Sequence, residues 1–483
     1  MQKDRPQRNL SMLTDFYELT MANGYLIGGI QDRIAVFDMF FRRVPDRGGF
    51  AVFAGLEQLV EHLQNLHFTA EDIEYLRGKK LFDERFLSYL ENFEFCCDLW
   101  AFREGSPMFA NEPIVVARGP VVQLQMIETM LLLTINHQSL IATKANRIVR
   151  AALGRTVMEF GSRRAQGYDA AIYGARAAYI GGCQSTACTL VEREYGVPTA
   201  GTMAHSWVQM FDSEYEAFKA YAETYPRSCT LLVDTYNALQ SGVPNAIRVF
   251  NEVLAPRGFR PIGIRIDSGD LAYLSKRARG MLDAAGYTDC KIIASNALDE
   301  YIIRDLLIQN APVDSFGVGE KLITSKSDPV MGGVYKLAAV QQDGEYIPKI
   351  KVSESLEKIT TPGFKNVYRF FDPVSDKAIA DYITCRDEVL VPGEPIVLFD
   401  PNAVWKKQTI SNYKAEEMLQ PVFEKGKLVA KLPSLQEIQR YSIQQVDRLW
   451  DEAKRLENPH RYYVDLSQKL WQLKQDLLLQ MNS

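Results

Sequence analysis

The chain has 483 residues, of which 47% are hydrophobic and 24% are charged. At roughly 150 residues per domain this length predicts about three domains, although one barrel can take up about 250 residues. The composition is that of an ordinary globular protein and excludes a disordered, collagen-like or low-complexity chain. A net charge of −5 and a pI near 5.8 argue against a protein that coats nucleic acid or an anionic membrane.

The cysteines and the apolar segments bear on the compartment. The seven cysteines are scattered and form no C-x-x-C pair, which is typical of reduced thiols and does not resemble a disulfide framework or a zinc site. Met1 to Asn9 is charged and polar, and no apolar stretch reaches the roughly 20 residues that cross a bilayer. We therefore expect a cytoplasmic protein that has neither nucleic acid nor membrane as a partner.

Residues 1–150 mix helices and strands and are predicted to form an N-terminal α+β region. The predicted elements are a helix from Thr14 or Asp15, a strand over Ile34 to Phe41, a loop over Pro45 to Gly49, short strands near Phe95 to Phe102 and Ile114 to Val116, and helices over Val122 to Ile135 and Ser139 to Leu153. The last two segments are apolar nearly all round, which predicts helices buried on more than one side.

From about Val157 the chain alternates short apolar runs with amphipathic stretches, the pattern of repeated βα units. Seven polar or glycine-rich segments are interpreted as strand ends. They are Phe160 to Arg164, Gly181 to Thr186, Gly201 to Ser206, Asp234 to Asn237, Asp267 to Asp270, Ser295 to Asn296 and Gly317 to Gly319. We predict an α/β fold in which residues 151–335 form an irregular parallel α/β barrel of about seven strands.

The region after the predicted barrel, residues 336–483, is expected to be β-rich and then helical, and to pack with the N-terminal region as a second α+β domain. Its predicted elements are strands over Gly333 to Val340, Tyr346 to Val352, Val367 to Phe371 and Ile396 to Phe399, and amphipathic helices over Ser434 to Leu456 and Leu466 to Leu479.

The strand ends are where ligands bind in parallel α/β folds, whether the sheet closes into a barrel or stays open. Here they collect glycines, hydroxyls, arginines, aspartates and one histidine. Glycine backbones and arginines suit phosphate groups, and paired aspartates suit a hydrated magnesium ion, so the set points to a phosphorylated substrate. The chain has neither a G-x-x-x-x-G-K-[ST] loop nor a dinucleotide-binding G-x-G-x-x-G turn.

Each of these residues also has a purely structural interpretation. A lone histidine such as His205 is more often structural than catalytic, and Asp234 or Asp267 could cap a helix. Arg163 and Arg164 could be a solvated pair. A charged pair at a crowded strand end would nevertheless be costly without an anion to meet it.

Several blocks together resemble the nicotinate phosphoribosyltransferase family from one end of the chain to the other. They are Leu13 to Tyr17, Glu159 to Ala165, Gly201 to Trp207, Ile264 to Asp270, Gly333 to Leu337, and Asn458-Pro459 before Val464 to Leu466. The resemblance implies a type II phosphoribosyltransferase fold and a head-to-tail homodimer. It implies transfer of phosphoribosyl from phosphoribosyl pyrophosphate to nicotinate, with Mg²⁺ and with ATP as co-substrate, in the salvage route to NAD.

The resemblance also implies residue roles. His205 would be phosphorylated by ATP, and Asp267 would assist as a second catalytic residue. Asp234 and Asp267 would lie near the magnesium pyrophosphate. Substrate contacts would come from Tyr17, reaching in from the other subunit, and from Phe160, Arg163, Arg164, Thr202, Arg265, Ser268, Gly269, Gly317 and Gly319. The basic segment from Lys349 to Arg369 matches a family motif and has a solvated charged loop as its alternative.

Two positions depart from the family pattern. Glu320 follows Gly319 where the family usually has a threonine, so a hydroxyl contact to the sugar phosphate is either lost or passed to Thr324. The strand end at Gly181-Gly182 continues Cys183-Gln184-Ser185-Thr186 where the family pattern is more acidic and contains Asn. Nearby, Ala187 is the nearest match to the acidic residue that nicotinamide-using relatives carry, which favours nicotinate. The alternatives are a nicotinamide or quinolinate phosphoribosyltransferase, a non-catalytic family member, and a phosphosugar isomerase or aldolase on a similar barrel.

Overall fold

A computed structural model describes residues 8–355, 358–391, 393–401 and 403–480 of the chain. Of the polar segment Met1 to Asn9, residues 1–7 lie outside the described residues. The chain folds as two compact units: one is Ile141–Pro329, and the other combines Met1–Leu140 with Val330–Ser483.

The α-helices of the described residues are α1 Phe16–Ile27, α2 Leu56–Gln64, α3 Ala70–Gly78, α4 Glu84–Glu91, α5 Val121–Met126, α6 Glu128–Ala151, α7 Tyr168–Ile180, α8 Thr189–Tyr195, α9 His205–Gln209, α10 Glu214–Thr224, α11 Val243–Val249, α12 Leu271–Ala284, α13 Glu300–Ile308, α14 Glu320–Ile323, α15 Leu435–Asp447 and α16 Gln468–Gln480. Short 3₁₀ turns lie at Pro45–Arg47, Ser162–Arg164 and Ala255–Arg257, and π-helical turns at Ala238–Gly242 and Phe250–Leu254.

The strands of the described residues are β1 Ile34–Phe41, β2 Ala51–Val52, β3 Asp98–Ala101, β4 Pro107–Met108, β5 Val115–Pro120, β6 Thr156–Glu159, β7 Ser185–Thr186, β8 Thr230–Leu232, β9 Gly263–Ile266, β10 Lys291–Ser295, β11 Ser315–Val318, β12 Gly333–Gln342, β13 Glu345–Pro348, β14 Lys365–Phe371, β15 Ala378–Cys385, β16 Ile396–Asp400, β17 Ala403–Ile410, β18 Lys414–Glu417, β19 Gln420–Glu424, β20 Lys427–Leu428 and β21 Tyr463–Leu466.

The unit Ile141–Pro329 contains a six-stranded sheet in the order β7-β6-β11-β10-β9-β8, and all of its ladders are parallel. The predicted parallel α/β sheet is therefore confirmed. A parallel bridge between Thr186 and Thr199 extends the sheet beyond β7. The described residues contain no ladder between β7 and β8, so closure into a seven-stranded barrel stays a prediction.

One predicted strand end is wrong. Gly181 and Gly182 follow α7 rather than a strand, and the strand of this region is β7 itself. The apolar run that suggested a strand is the buried end of α7, where residues 174–180 all lie in the interior. A fully buried helix lacks the one-sided pattern that separates it from a strand, so periodicity alone does not distinguish the two.

Strand β9 shows how this sheet positions polar side chains. Ile264 and Ile266 are at most 1% exposed, and they alternate with Arg265, because successive side chains of a strand point to opposite faces. Asp270 then caps α12, its Oδ1 accepting a hydrogen bond from Tyr273 N at 3.0 Å. The turn between strand and helix contains Gly269 at φ +74°, a conformation that favours glycine.

The other unit is built on a seven-stranded antiparallel sheet in the order β13-β12-β1-β5-β3-β19-β20. It also holds a four-stranded sheet in the order β18-β14-β15-β21 and the two-stranded ladders β16-β17 and β2-β4. Strand β1 has the predicted bounds, and α1 begins at Phe16, one residue after the later of the two predicted starts, Thr14 and Asp15.

The predicted break between two buried helices is misplaced. The sequence predicted it at residues 136–138, whereas the structure breaks at Ile127 and α6 continues through the polar residues. Asn136 Oδ1 accepts from Gly333 N at 3.1 Å, and Gln138 Nε2 donates to Gln58 Oε1 at 2.8 Å. Tertiary partners therefore satisfy the polar side chains that looked like a helix boundary. Among the described residues, no helix has the length and apolarity that spanning a bilayer requires.

Candidate active site

The polar residues singled out in the sequence lie where β6, β8, β9, β10 and β11 end. Since these strands are parallel, their carboxyl ends share one edge of the sheet. Hydrogen bonds join Arg265 to Thr202 and Asp267 there, and Asp234 accepts from Asp267 and Ser268. His205 and Phe160 approach the same group. We call this edge the candidate active site.

Arg265 is the centre of the site's hydrogen-bond network. Its Nη2 donates to Asp267 Oδ1 at 2.9 Å, and its Nη1 donates to Thr202 Oγ1 at 3.2 Å. Its Nε donates to Ser295 Oγ at 2.8 Å, and Ser295 Oγ in turn donates to Asp267 Oδ1. The arginine side chain is 14% exposed, so it remains accessible to a ligand.

Phe160 lies beside this network and packs against the backbone of a glycine, Gly317. The Arg265 guanidinium carbon is 5.6 Å from the centroid of the Phe160 ring, within cation–π range. A Cβ on Gly317 would stand 2.5 Å from Cδ2 of that ring, which only glycine avoids. The Phe160 ring therefore packs directly on the backbone at Gly317.

Glu159, directly before Phe160, is fully buried, and its carboxyl group accepts hydrogen bonds from residues around the end of β6. Its Oε1 accepts from Gly161 N, and its Oε2 accepts from Thr186 Oγ1 at 2.7 Å. Burial raises the pKa of the Glu159 carboxyl. The side chain therefore fixes the backbone that carries Phe160 and contributes no surface to the site.

His205 begins α9, and both of its ring nitrogens face polar groups. Nδ1 lies 3.1 Å from Thr235 Oγ1, and Nε2 lies 3.7 Å from Asp267 Oδ2. The side chain is 41% exposed, so solvent and ligands reach the ring. An exposed imidazole oriented on both sides suits nucleophilic or acid–base chemistry.

Asp234 is the residue that best fits a magnesium ion. Its Oδ2 accepts from Asp267 N at 2.8 Å and from Ser268 Oγ at 2.6 Å. Its Oδ1 is buried and has no hydrogen-bond partner among the described residues, which leaves an anionic oxygen for a cation. The described residues hold no group of three or more His, Cys, Asp or Glu that could bind a metal by themselves, and Mg²⁺ typically uses one or two carboxylates plus substrate phosphates.

Arg163 and Arg164 lie in the 3₁₀ turn after β6 and are exposed. Arg164 Nε is 3.9 Å from Glu320 Oε2, and Glu320 also pairs with Lys326 at 2.6 Å, a contact that lowers the pKa of the Glu320 carboxyl. Thr324 donates its hydroxyl to the Glu320 carbonyl at 2.8 Å. Gly319 stands directly before Glu320, at the N-cap of α14.

Two further groups of predicted residues lie in the other unit. Tyr17 is on α1 and 44% exposed. In the basic segment, Lys365 is buried and gives all three ammonium protons to Asp38 Oδ2, Thr361 O and Gly363 O at 2.6–2.8 Å. Arg369 is likewise buried on Asp381. These two cations are therefore structural, whereas Lys349 and Lys351 are exposed.

Three residues of the site escaped the sequence reasoning: Glu159, Thr235 and Ser295. Thr235 and Ser295 stand inside predicted strand ends, and Glu159 stands directly before Phe160. Each of the three has its hydrogen-bond partner in another strand or helix. The one available signal was the position of Ser295 and Thr235 at predicted strand ends.

A parallel sheet whose carboxyl edge collects an arginine, an aromatic ring, aspartates and an accessible histidine defines an α/β enzyme that acts on an anionic substrate. The model of the nicotinate phosphoribosyltransferase N-terminal domain matches residues 12–136, that of the family matches residues 156–370, and that of the C-terminal domain matches residues 364–474. The chain is 44% identical over 475 residues to a nicotinate phosphoribosyltransferase of Bacillus subtilis, covering 98% of this chain and 96% of the relative.

Other comparisons agree. A nicotinate phosphoribosyltransferase of Mycobacterium tuberculosis is 37% identical over 462 residues, covering 95% of this chain and 92% of the relative. The crystal structure of human nicotinic acid phosphoribosyltransferase superposes with a TM-score of 0.85 at 29% identity, covering 96% of this chain and 99% of that chain. The chain belongs to the nicotinate phosphoribosyltransferase family.

Proposed function

We propose that the protein makes nicotinate mononucleotide and pyrophosphate from nicotinate and phosphoribosyl pyrophosphate, with ATP hydrolysis coupled through a phosphohistidine at His205. The reaction would bring nicotinate into NAD synthesis by the salvage route. The observation that carries the proposal is the Arg265 network beside Phe160 and His205, in a chain of this family.

Nicotinate would bind at Arg265 and Phe160. A guanidinium has five N–H donors, of which Arg265 uses three on Ser295, Thr202 and Asp267. The two donors that remain on Nη1 and Nη2 suit the two oxygens of a carboxylate. The Phe160 ring offers a flat face to the pyridine, and nicotinamide, which lacks the carboxylate, would lose the charged pair.

His205 would take the γ-phosphoryl group of ATP. A ring nitrogen forms a bond to the γ-phosphorus, the bond from phosphorus to the bridging oxygen breaks, and ADP leaves with that electron pair. Thr235 and Asp267 orient the ring from its two sides. The phosphohistidine adds negative charge close to Asp267 and would be hydrolysed to release phosphate in each cycle.

In the sugar-transfer step, the pyridine nitrogen bonds to the anomeric carbon while the bond from that carbon to the pyrophosphate oxygen breaks. Asp234 and Asp267 would hold a magnesium ion, which when bound neutralises charge on the departing pyrophosphate. The protein's own contribution is to orient the base and the sugar. Ser268, Gly269, Gly317, Gly319, Arg163 and Arg164 would meet the phosphate groups.

A head-to-tail homodimer is part of the proposal, with Tyr17 completing the partner's site. Its support is the exposure of Tyr17 on α1, in a unit different from the one that holds Phe160. We also propose that the parallel sheet belongs to an irregular barrel of about seven strands, since Thr199 bridges to Thr186 beyond β7. A cytoplasmic location is supported by the free cysteines of the described residues.

The deciding experiment follows nicotinate mononucleotide formation by the purified protein with and without ATP, together with acid-labile phosphate on the protein. We expect product that ATP stimulates and a label that His205→Ala removes. His205→Ala should retain slow synthesis at high phosphoribosyl pyrophosphate, because the sugar chemistry uses other groups. Equal activity with nicotinamide would overturn the substrate assignment, and ligand binding without any turnover would identify a non-catalytic member.

Mixing variants tests the shared site. Tyr17→Ala and Phe160→Ala each damage every site of their own homodimer, but a mixed dimer restores one intact site. We expect activity to return when the two inactive proteins are mixed and allowed to exchange subunits. Absence of recovery, with mixed dimers demonstrated by a tagged subunit, would show that Tyr17 does not serve the partner.

A further inference from the structure

Ser295 links the two most prominent charged residues of the candidate active site. It ends β10 and is 2% exposed. Its hydroxyl oxygen accepts from Arg265 Nε at 2.8 Å, and its O–H donates to Asp267 Oδ1. We propose that Ser295 is a positioning residue that fixes Arg265 and Asp267 for catalysis, an inference that rests on the proposed function.

The sheet register places the hydroxyl between its partners. Strand β10 lies between β9 and β11, with Ala294 opposite Ile266 and Ser295 opposite Gly317. Ser295 therefore stands next to Asp267, the residue that follows Ile266. A hydroxyl has one proton and two lone pairs, so it can join a cationic donor to an anionic acceptor, which an apolar side chain cannot do.

This link fixes the direction of the Asp267 carboxylate. Oδ1 accepts from both Ser295 Oγ and Arg265 Nη2, while Oδ2 faces His205 Nε2 at 3.7 Å. Loss of the hydroxyl leaves Oδ1 with one of its two donors. The carboxylate can then rotate, and Oδ2 loses its fixed direction toward the imidazole.

The same hydroxyl holds the plane of the Arg265 guanidinium. Ser295 anchors Nε, Thr202 anchors Nη1 and Asp267 anchors Nη2, so each nitrogen has its own partner. Without the anchor on Nε, the plane can turn about the line through the other two contacts. The two free donors would then no longer point together at a carboxylate.

Ser295 acts through these neighbours, because its buried hydroxyl is already occupied by Arg265 and Asp267. The expected kinetic signature separates positioning from general damage to the fold. Loss of folded protein lowers kcat and leaves KM unchanged, whereas a misdirected Arg265 raises the nicotinate KM. Since both partners are charged, we expect Ser295→Ala to lower kcat/KM for nicotinate by about ten- to a hundredfold, with a raised nicotinate KM.

The experiment compares wild type, Ser295→Ala, Ser295→Thr and the control Ser315→Ala, with melting temperatures for each. Ser315 is the first residue of β11 and therefore lies at the amino ends of the parallel strands, whereas the candidate active site lies at their carboxyl ends. We expect the threonine variant, which keeps the hydroxyl, and the control to stay within about threefold of wild type. If Ser295→Ala does not fold, Ser295→Cys replaces it, because a thiol is a weak donor and acceptor in a side chain of similar shape.

A wild-type nicotinate KM in folded Ser295→Ala or Ser295→Cys would overturn the inference, as would failure of folded Ser295→Thr to restore it. Both outcomes presuppose an active wild-type enzyme and leave the proposed function intact. If the wild-type protein itself forms no nicotinate mononucleotide, the proposed function fails first and this inference with it.

Discussion

Gly317→Ala tests whether the bare backbone of β11 sets the position of the Phe160 ring. An added Cβ would lie 2.5 Å from Phe160 Cδ2 and 2.6 Å from Cε2. Ordinary contacts between carbon atoms are about 3.5–4.0 Å, so the ring has to withdraw by about 1 Å. A displacement of about 1 Å in a binding residue can cost about a hundredfold in rate. We expect kcat/KM for nicotinate to fall by about ten- to a hundredfold.

The assay is initial-rate kinetics with nicotinate varied, together with thermal denaturation. The control is Gly280→Ala in the middle of α12, where a Cβ would meet no atom within 4 Å. This control should keep wild-type kinetics and gain about 0.5–1 kcal/mol, because alanine is the better helix former. Wild-type nicotinate kinetics in Gly317→Ala would refute the reasoning.

A second substitution separates the steric clash from other effects of the alanine. Phe160→Leu removes the ring atoms that the new Cβ would meet, so Gly317→Ala should cost less stability in that background than in wild type. Overpacking typically costs about 1–3 kcal/mol, and we expect most of this cost to disappear in the double variant. Equal costs in the two backgrounds would place the effect elsewhere.

Three other substitutions test separate parts of the structure. Arg265→Ala should weaken nicotinate by about 1.5–3 kcal/mol, and an unchanged nicotinate KM would contradict the assignment. Burial, and then the nearby Asp400, raise the pKa of Asp465 to about 7. As the pH rises from about 4 to about 7, the folded protein keeps a proton that the unfolded chain loses, so the folded state becomes less stable. Asp465→Asn should therefore raise the melting temperature more at pH 8 than at pH 5, and equal shifts would contradict the cause. Lys365→Met leaves the buried Asp38 carboxylate unpaired and should cost about 3–5 kcal/mol in urea denaturation, whereas adding Asp38→Asn should restore much of the loss.

Local pattern was sufficient wherever a short segment determines its own conformation. The bounds of strand β1 were predicted correctly from its apolar run, and α1 begins one residue after Asp15, the later of its two predicted starts. The break within residues 121–151 was misplaced, because Asn136 and Gln138 find partners more than 70 residues away. A buried polar residue looks like a helix boundary until its partner is known.

The candidate site shows the same division. The sequence placed Arg265 and Asp267 together at one predicted strand end, and in the structure Arg265 alternates with the buried Ile264 and Ile266 of β9 while Asp267 follows directly. It does not predict Ser295, because the link depends on the register between β9 and β10. The sequence likewise does not predict that the Phe160 ring packs on Gly317, because a glycine at a strand end gives no sign of which ring will lie against it.

The pairing of Arg265 with Asp267 has a consequence for affinity. A free arginine would have to lose the freedom of its long side chain on meeting a carboxylate, at about 0.5–1.5 kcal/mol for an immobilised side chain. Arg265 has already lost that freedom to Ser295, Thr202 and Asp267, yet it keeps two N–H donors. The folded protein thus bears the cost of ordering before nicotinate arrives, and the neighbouring carboxylate stabilises the partly buried cation before substrate binds.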